Sequence, residues 1–436
     1  MLEYQGHSLL GLRAAEGLPQ WEIDLLKPDM SEKEIGQAIM PPIHTVREKL
    51  GAYCLILDWI YQKEYAHYCR QENGSWVPHG PANADFTAGG RISEVANNSL
   101  IARLMQKMID ELKAGNWEEA VRRAGVLGHF LQEPFTPGHS TDNSLFSEFF
   151  PDPNPLRHWR LHFCFDSASG DFEPPVPELM GKTAEEAAFR IFDYIKKGIR
   201  SGRALIGPVV EAAYRGKTPL ENQKVFQALL CKQSQMASYI TACAWHTAFC
   251  IAFNRFDKEE HCIDTCDLSR LNPYFMHPSH YVTITPGHLV DENGFLIGLD
   301  VWGENRSEAH FENGFGMFGH SGYKYYINGL FSKFRFKLGM SSRRLDRHSE
   351  KTHLHFTIET DDKENTLFSE DIEYKAAQRP LEVTLHAYEP VKEYCVDIRG
   401  AKTLIISSRC IPYIADDGVT TYAAAELAIL DPVLIR

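Results

Sequence analysis

The chain has 436 residues, 44% of them hydrophobic, enough to bury two separate cores. Its 58 acidic residues outnumber 45 basic ones, for a net charge of −13. That balance excludes broad electrostatic binding to DNA or RNA, because phosphate contacts need Lys and Arg. No apolar run reads as a membrane span and no export signal is written in the sequence. The ten cysteines show no CxxC pairing; Cys262 and Cys266, four apart, read as a disulfide in an exported protein or as free thiols in a reduced compartment.

Residues 1–255 read as helical. From 117 to 132 the segment is an amphipathic helix with Val121, Ala124, Gly125, Leu127, Gly128 and Leu131 on its inward stripe. His129 and Glu133 extend that stripe. Four residues apart on a helix of about 3.6 residues per turn, they lie on one face, one turn apart. Pro134 and Pro137 stop the helix, and Gly138 frees the backbone to present His139. Further on, LRHWRLHFCFD carries His162 and Asp166, again four apart, among Leu161, Phe163 and Phe165. These five groups supply imidazole and carboxylate without thiolate, a set suited to zinc held for hydrolysis. A buried, unpaired carboxylate is expensive, and a cation relieves that cost. The alternative is a set of satisfied core histidines and capping carboxylates. Helical spacing continues over 184–202 and 220–253, where His246 reads as a packed core histidine.

LGHFLQEPFTPGH resembles the HxxxDxxxPxH signature of the zinc-dependent phospholipase C and single-strand-specific nuclease superfamily. LHFCFD resembles that superfamily's downstream LHxxWD element, and the likeness covers roughly residues 2–170, extending over the helices to about 255. Carried across, the family's Gly-His falls on Gly6 and His7, and its Asp on Asp58 in LILDWIYQ. Its next His falls on His79 in NGSWVPHG, favoured for the Trp-containing loop before it, or on His67. The resemblance implies two or three zinc ions. One would be held by Asp58, His79, His129 and Glu133, a second by His139, His162 and Asp166, and a third by His7, Glu133 and the amino terminus. It implies hydrolysis of a phosphoester by a metal-bound hydroxide, with Asp58 and Glu133 in catalytic roles and Asp58 orienting the attacking water. Trp76 and Phe135 stand close enough in sequence to offer a substrate an apolar rim or a stacking face. Two positions depart from the family. Glu133 replaces an Asp and is one methylene longer, and Leu2, preceded by Met1, stands where the family has a metal-ligating Trp. The family is usually exported; the chain as written implies a cytoplasmic protein if complete.

From 278 the pattern changes to period two. HYVTITP, FLIGLDVWG, KFRFKLGM, HLHFTIET, LEVTLHAY and TLIISSR read as strands between Gly, Asp and Asn turns, pointing to a sandwich. The succession GFGMFGHSGYKYYING, KFRFKLGM, HLHFTIETDDKENTLFSEDI, VDIRGAKTLIIS and YAAAELAIL resembles a galactose-binding-like carbohydrate-binding module over roughly 314–432. Trp302, Tyr323, Tyr325 and Tyr326 are candidate sugar platforms, though they read first as ordinary strand aromatics. His353 and His355 alternate on one strand face, where they could ligate metal but read first as an exposed or cross-strand polar pair.

The expected architecture is therefore multidomain: an all-α helical bundle over 1–255, a linker over 256–277, and an all-β, jelly-roll-like sandwich over 278–436. The expected function is a zinc-dependent, phospholipase C-like phosphodiester hydrolase. Its partners would be a phosphoester substrate (phospholipid or nucleotide) and a glycan at the C-terminal domain, with no stable nucleic-acid partner. The alternatives are a single-strand nuclease or nucleotidase with the same metal site, and a non-catalytic glycan-binding protein with a degenerate one.

Overall fold

The computed structural model describes residues 3–26, 43–59, 65–72, 74–77, 94–140, 164, 167–215, 223–256, 263–271, 275–277, 285–290, 295–343, 351–361, 378–414, 418–421 and 426–436. The chain divides into two compact units, Met1–Cys262 and Ile263–Arg436. The first is helical and the second is built of antiparallel sheets.

The helical unit contains α1 (Glu3–Gly17), α2 (Gln20–Leu25), α3 (Val46–Tyr53), α4 (Glu94–Ala114), α5 (Trp117–Gln132), α6 (Ala184–Arg203), α7 (Ile206–Arg215) and α8 (Gln223–Phe253). Local chemistry sets several of their ends. Thr45 and Glu48 form a reciprocal capping box at the start of α3, the hydroxyl accepting from Glu48 N at 3.2 Å and the carboxylate from Thr45 N at 2.7 Å. Gly115, at φ 74°, ends α4 in the left-handed conformation, and Asn116 N then donates back to Glu111 O at 3.0 Å. Glu118 and Glu119 in the first turn of α5 face the positive end of its dipole.

Helix α8 is the central post, packed against α1, α4, α5 and α6. Trp245 on it is fully buried and donates from Nε1 to Ala124 O at 2.8 Å. This helix is long and apolar enough to cross a membrane by length and composition, which corrects the expectation that no apolar run reads as a span. Its period-breaking apolar surface has a simpler outlet here, because 67% of the apolar window is buried inside the unit.

Small residues let three helices close on one another. A Cβ on Gly11 of α1 would lie 2.6 Å from Cys54 Sγ, and one on Gly51 of α3 would lie 2.8 Å from Ser8 O. On α5, a Cβ at Gly125 would meet Tyr53 O at 2.4 Å, and one at Gly128 would meet Cys54 Sγ at 2.9 Å. The end of α3 is thus wedged between α1 and α5 at backbone contact. That approach brings a residue of α1 and a residue of α5 into one site.

The second unit is a two-sheet sandwich. Its strands are β1 (Thr265–Asp267), β2 (Phe275–His277), β3 (Thr285–Pro286), β4 (Leu289–Val290), β5 (Leu296–Ile297), β6 (Leu299–Trp302), β7 (Glu308–Phe311), β8 (Gly314–Phe318), β9 (Ser321–Tyr326), β10 (Lys333–Met340), β11 (His353–Asp361), β12 (Gln378–His386), β13 (Lys392–Asp397), β14 (Thr403–Cys410), β15 (Tyr413–Ile414), β16 (Thr420–Thr421) and β17 (Glu426–Ile435). One sheet runs β13-β10-β17-β8-β3 with β1 also on β17, and the other runs β12-β11-β14-β9-β2. Rings meet across the gap: Phe336 and Phe356 at 6.0 Å, and Phe315 and Tyr323 edge-on at 6.4 Å. Across β11 and β12, His353 faces His386 with their Nδ1 atoms 2.8 Å apart, and His355 Nε2 lies 3.1 Å from Glu382.

The stretch 256–277 does not serve only as a linker. It supplies β1, which pairs with β17, and β2, which pairs with β9. Three-residue strands are too short to show a period of two, so the pattern cannot announce them. Among the described residues the cysteines are free thiols, Cys266 included; Cys262 lies outside the described residues.

A methyl group at Gly125 has backbone on its far side and nowhere to go. Gly125→Ala should lower the stability of the helical unit by about 3 kcal/mol in urea unfolding, while the β unit's transition stays in place.

Candidate metal centre

The centre forms where α1, α5 and the turns after α3 and α5 meet. His129, fully buried on the last turn of α5, points into the bundle, and Glu133 follows one turn later at 1% exposure. Pro134 and Pro137 convert the chain to two short 3-10 turns, Glu133–Phe135 and Pro137–Ser140, and the second presents His139. His7 reaches in from α1 and stacks on the His129 ring, centroids 4.0 Å apart.

Glu133 is the hub. Its Oε1 lies 3.1 Å from His7 Nε2 and 3.2 Å from His129 Nε2, and its Oε2 lies 3.2 Å from His139 Nε2. Asp58, on the 3-10 turn Ile56–Trp59, stands at the edge with Oδ2 3.9 Å from His129 Nδ1. The carboxylate therefore touches one member of each of the three ligand sets that the resemblance implies.

The rings are held from behind. His129 Nδ1 donates to Cys54 O at 2.6 Å, a carbonyl at the end of α3 with no partner within its own helix. His7 Nδ1 donates to Gln132 Oε1 at 3.0 Å. With Nδ1 carrying the proton on both rings, each neutral imidazole aims the lone pair of Nε2 at Glu133. Two lone pairs and a buried carboxylate repel unless a cation sits among them. A proton answers part of this. Burial pulls the His7 imidazolium down, but the hydrogen bond and charge of Glu133, with Asp58 behind it, outweigh burial and hold it up to about 9.

A divalent metal answers it more fully, and the donor set fits one. His7, His129 and Glu133 offer ligand atoms within 4.8 Å of one another. Ligands about 2.0–2.1 Å from a tetrahedral zinc stand about 3.3 Å apart, close to the 3.1 and 3.2 Å seen here. Imidazole nitrogens and a carboxylate oxygen, with second nitrogens fixed by acceptors, are the ligands and outer contacts that zinc takes.

Of the residues expected from the sequence, the structure brings together His7, Asp58, His129, Glu133 and His139. His79, His162 and Asp166 lie outside the described residues. The alternative His67 is exposed, its ring 3.9 Å from that of Tyr68. Phe135 corrects an expectation. It is 3% exposed, and a Cβ on Gly198 would meet its ring at 2.1 Å, so it packs the bundle and has no free face for a substrate. Trp76 is 47% exposed, with the Arg70 guanidinium 4.6 Å over its ring. In the sandwich, Tyr323, Tyr325 and Tyr326 are all under 4% exposed and belong to the core. Two contributors were missed. Gln132 continues the inward stripe of Gly125, Gly128 and His129, a signal that the helical spacing does carry. The Cys54 carbonyl is backbone, and no residue type marks it.

No family model matches the chain, and no curated protein matches it. Among solved structures it is similar to the alpha toxin from Clostridium absonum, at 10% identity over 100% of this chain and 95% of that one, with a TM-score of 0.30. It is also similar to a CBM51 module from a Clostridium perfringens GH95 protein in complex with methyl-galactose, at 18% identity over 39% of this chain and 99% of that one, with a TM-score of 0.28. A third similarity is to the M60 catalytic domain with two CBM51 domains from Clostridium perfringens ZmpB. It has 16% identity over 39% of this chain, a TM-score of 0.28, and spans 15% of that chain. At these scores the chemistry of the centre rests on the chain's own residues.

Two outcomes follow. In chelator-treated protein, the His7 contribution to stability is fully present below about 6.5 and is lost as pH rises through about 9, because the folded state holds the proton more tightly. Urea midpoints should fall across that window, and His7→Gln should flatten the slope there. Gln132→Leu, which removes the acceptor behind His7, should weaken zinc binding by about 10- to 100-fold in a competition titration against a chromogenic chelator.

Proposed function

We propose that the helical unit is a zinc-dependent phosphoester hydrolase with a phospholipase C-like reaction. The observation that carries this reading is Glu133: a fully buried carboxylate within 3.2 Å of three imidazole nitrogens, two of them on rings whose other nitrogen is already committed. The order Gly-His, Asp, His-x-x-x-Glu and His in the sequence supports the same reading.

His7, His129, Glu133 and His139 would hold metal, with Asp58 at the edge. His79, His162 and Asp166 complete the set proposed from the sequence. Zinc, when bound, supplies Lewis acidity toward phosphoryl oxygens and acidifies water. The chain's own residues do the rest. Glu133 lies between ligand sets and fixes their spacing. Cys54 O and Gln132 hold the two rings in the tautomer that leaves Nε2 free. Asp58 is 18% exposed, so its carboxylate reaches both the centre and solvent, the place from which a base orients an attacking water and takes its proton.

The net charge of −13 favours a phospholipid over a nucleic acid among phosphodiesters. A glycan on the sandwich is part of the same proposal. With the tyrosines of β9 in the core, Trp302 is the remaining platform candidate, partly exposed and edge-on to Tyr388 at 5.0 Å.

The test is metal content and turnover on the full chain purified without chelator. Two or three zinc per chain, reduced in His129→Ala, with chelator-sensitive hydrolysis of a nitrophenyl phosphocholine ester, is the expected result. Asp58→Asn should lower kcat by about 100- to 10,000-fold with most of the metal retained. No stoichiometric zinc after incubation with the metal would overturn the reading, and nucleotide hydrolysis without phosphocholine hydrolysis would move it to the nuclease.

A further inference from the structure

A second group of ligands lies in the helical unit, on different elements. Glu22 comes from α2, and His246 and Cys250 come from α8, one turn apart on one face. Their ligand atoms all fall within 4.8 Å of one another. His246 Nδ1 is 2.5 Å from Glu22 Oε1, and Cys250 Sγ is 3.6 Å from His246 Nε2 and 3.9 Å from Nδ1. Glu22 is fully buried and Cys250 is 4% exposed. Among the described residues the second oxygen of Glu22, Oε2, has no hydrogen-bond partner, although it has no access to solvent. A buried carboxylate oxygen left in this way is costly until a donor or a cation reaches it. The nearby Arg255 guanidinium lies over the face of Trp21, 4.2 Å from the ring centroid.

We propose that Glu22, His246 and Cys250 form a separate metal site for one zinc ion or a similar borderline-soft dication. The set is one carboxylate, one imidazole and one thiolate, which differs from the all-nitrogen-and-oxygen centre around Glu133. Thiolate and imidazole select zinc over magnesium or calcium. A sulfur at about 2.3 Å and a nitrogen at about 2.0 Å from a tetrahedral zinc stand about 3.5 Å apart, against 3.9 Å between Cys250 Sγ and His246 Nδ1, the nitrogen that faces Glu22. The Glu22–His246 gap must widen from 2.5 Å, which rotation of the carboxylate accomplishes while turning Oε2 towards the metal.

Zinc takes cysteine as the thiolate and histidine as the neutral imidazole, and its two positive charges would offset the buried carboxylate and thiolate.

The site is distinguished from the Glu133 centre by its sulfur. The experiment is a cobalt(II) titration of the full chain followed in the near ultraviolet, where only a thiolate ligand gives an intense charge-transfer band. The expected result is a band whose limiting intensity corresponds to one thiolate-bound cobalt per chain and which zinc reverses. Cys250→Ser should abolish it, Glu22→Gln should raise the half-saturating cobalt concentration at least about tenfold, and His129→Ala and Cys54→Ser should leave it intact. Circular dichroism of each variant shows that it folds, and the near-isosteric Ser and Gln keep the packing. No band at saturating cobalt in folded protein overturns the proposal. So does a band that survives Cys250→Ser, which would assign it to an adventitious thiol such as the exposed Cys395. Loss of phosphoesterase activity in these tests bears on the Glu133 centre alone.

Discussion

A carboxylate that cannot reach water dictates the layout of the helical unit. Glu133 is 1% exposed, and nothing but positive charge or a donor makes it tolerable there. The imidazoles around it arrive from three elements, and each is positioned by something ordinary. Gly11 and Gly51 bring α1 to α3, and Gly125 and Gly128 bring α3 to α5. The end of α3 then leaves the Cys54 carbonyl against His129, and Gln132, next to Glu133, accepts a hydrogen bond from His7 Nδ1. The close packing and the electrostatics are one construction: loosen the helices, and the rings lose the contacts that select their tautomers.

Much of this centre was legible in the sequence, for a physical reason. A helix has a fixed pitch, so the four-residue gap between His129 and Glu133 places both on one face without further knowledge. The prolines that follow end the helix, which accounts for the turn that carries His139. His7 and Asp58 could be named only through resemblance, because they approach from separate elements and no local spacing ties them to α5. The Cys54 carbonyl was beyond reach, since the backbone of every residue carries one. Phe135 was misassigned because an aromatic residue beside metal ligands in sequence points wherever the turn sends it, and this turn sends it against Gly198.

The same limit hid the group around His246. Helical spacing marked that histidine as inward-facing, which it largely is, and inward-facing histidines on apolar helices are usually packed. Its partner Glu22 is separated from it by most of the helical unit, and only the tertiary fold shows that the imidazole meets a buried carboxylate instead of hydrocarbon. In the sandwich, the long alternating strands β10, β11 and β14 were visible, while β1 and β2, at three residues each, were not. The tyrosines of β9, three aromatics in four residues, stand out as candidate platforms but read first as ordinary strand aromatics, and each is buried.

The last strand in chain order, β17, lies in the middle of its sheet. One edge pairs with β10 along nearly its whole length, and the other pairs first with β8 and then with β1. While a ribosome is making this unit, β8 and β10 therefore emerge with no strand between them, each with an unsatisfied ladder of backbone donors and acceptors. The sheet closes only after residues 426–435 have cleared the exit tunnel. Until then the nascent unit offers two open edges to any neighbouring chain.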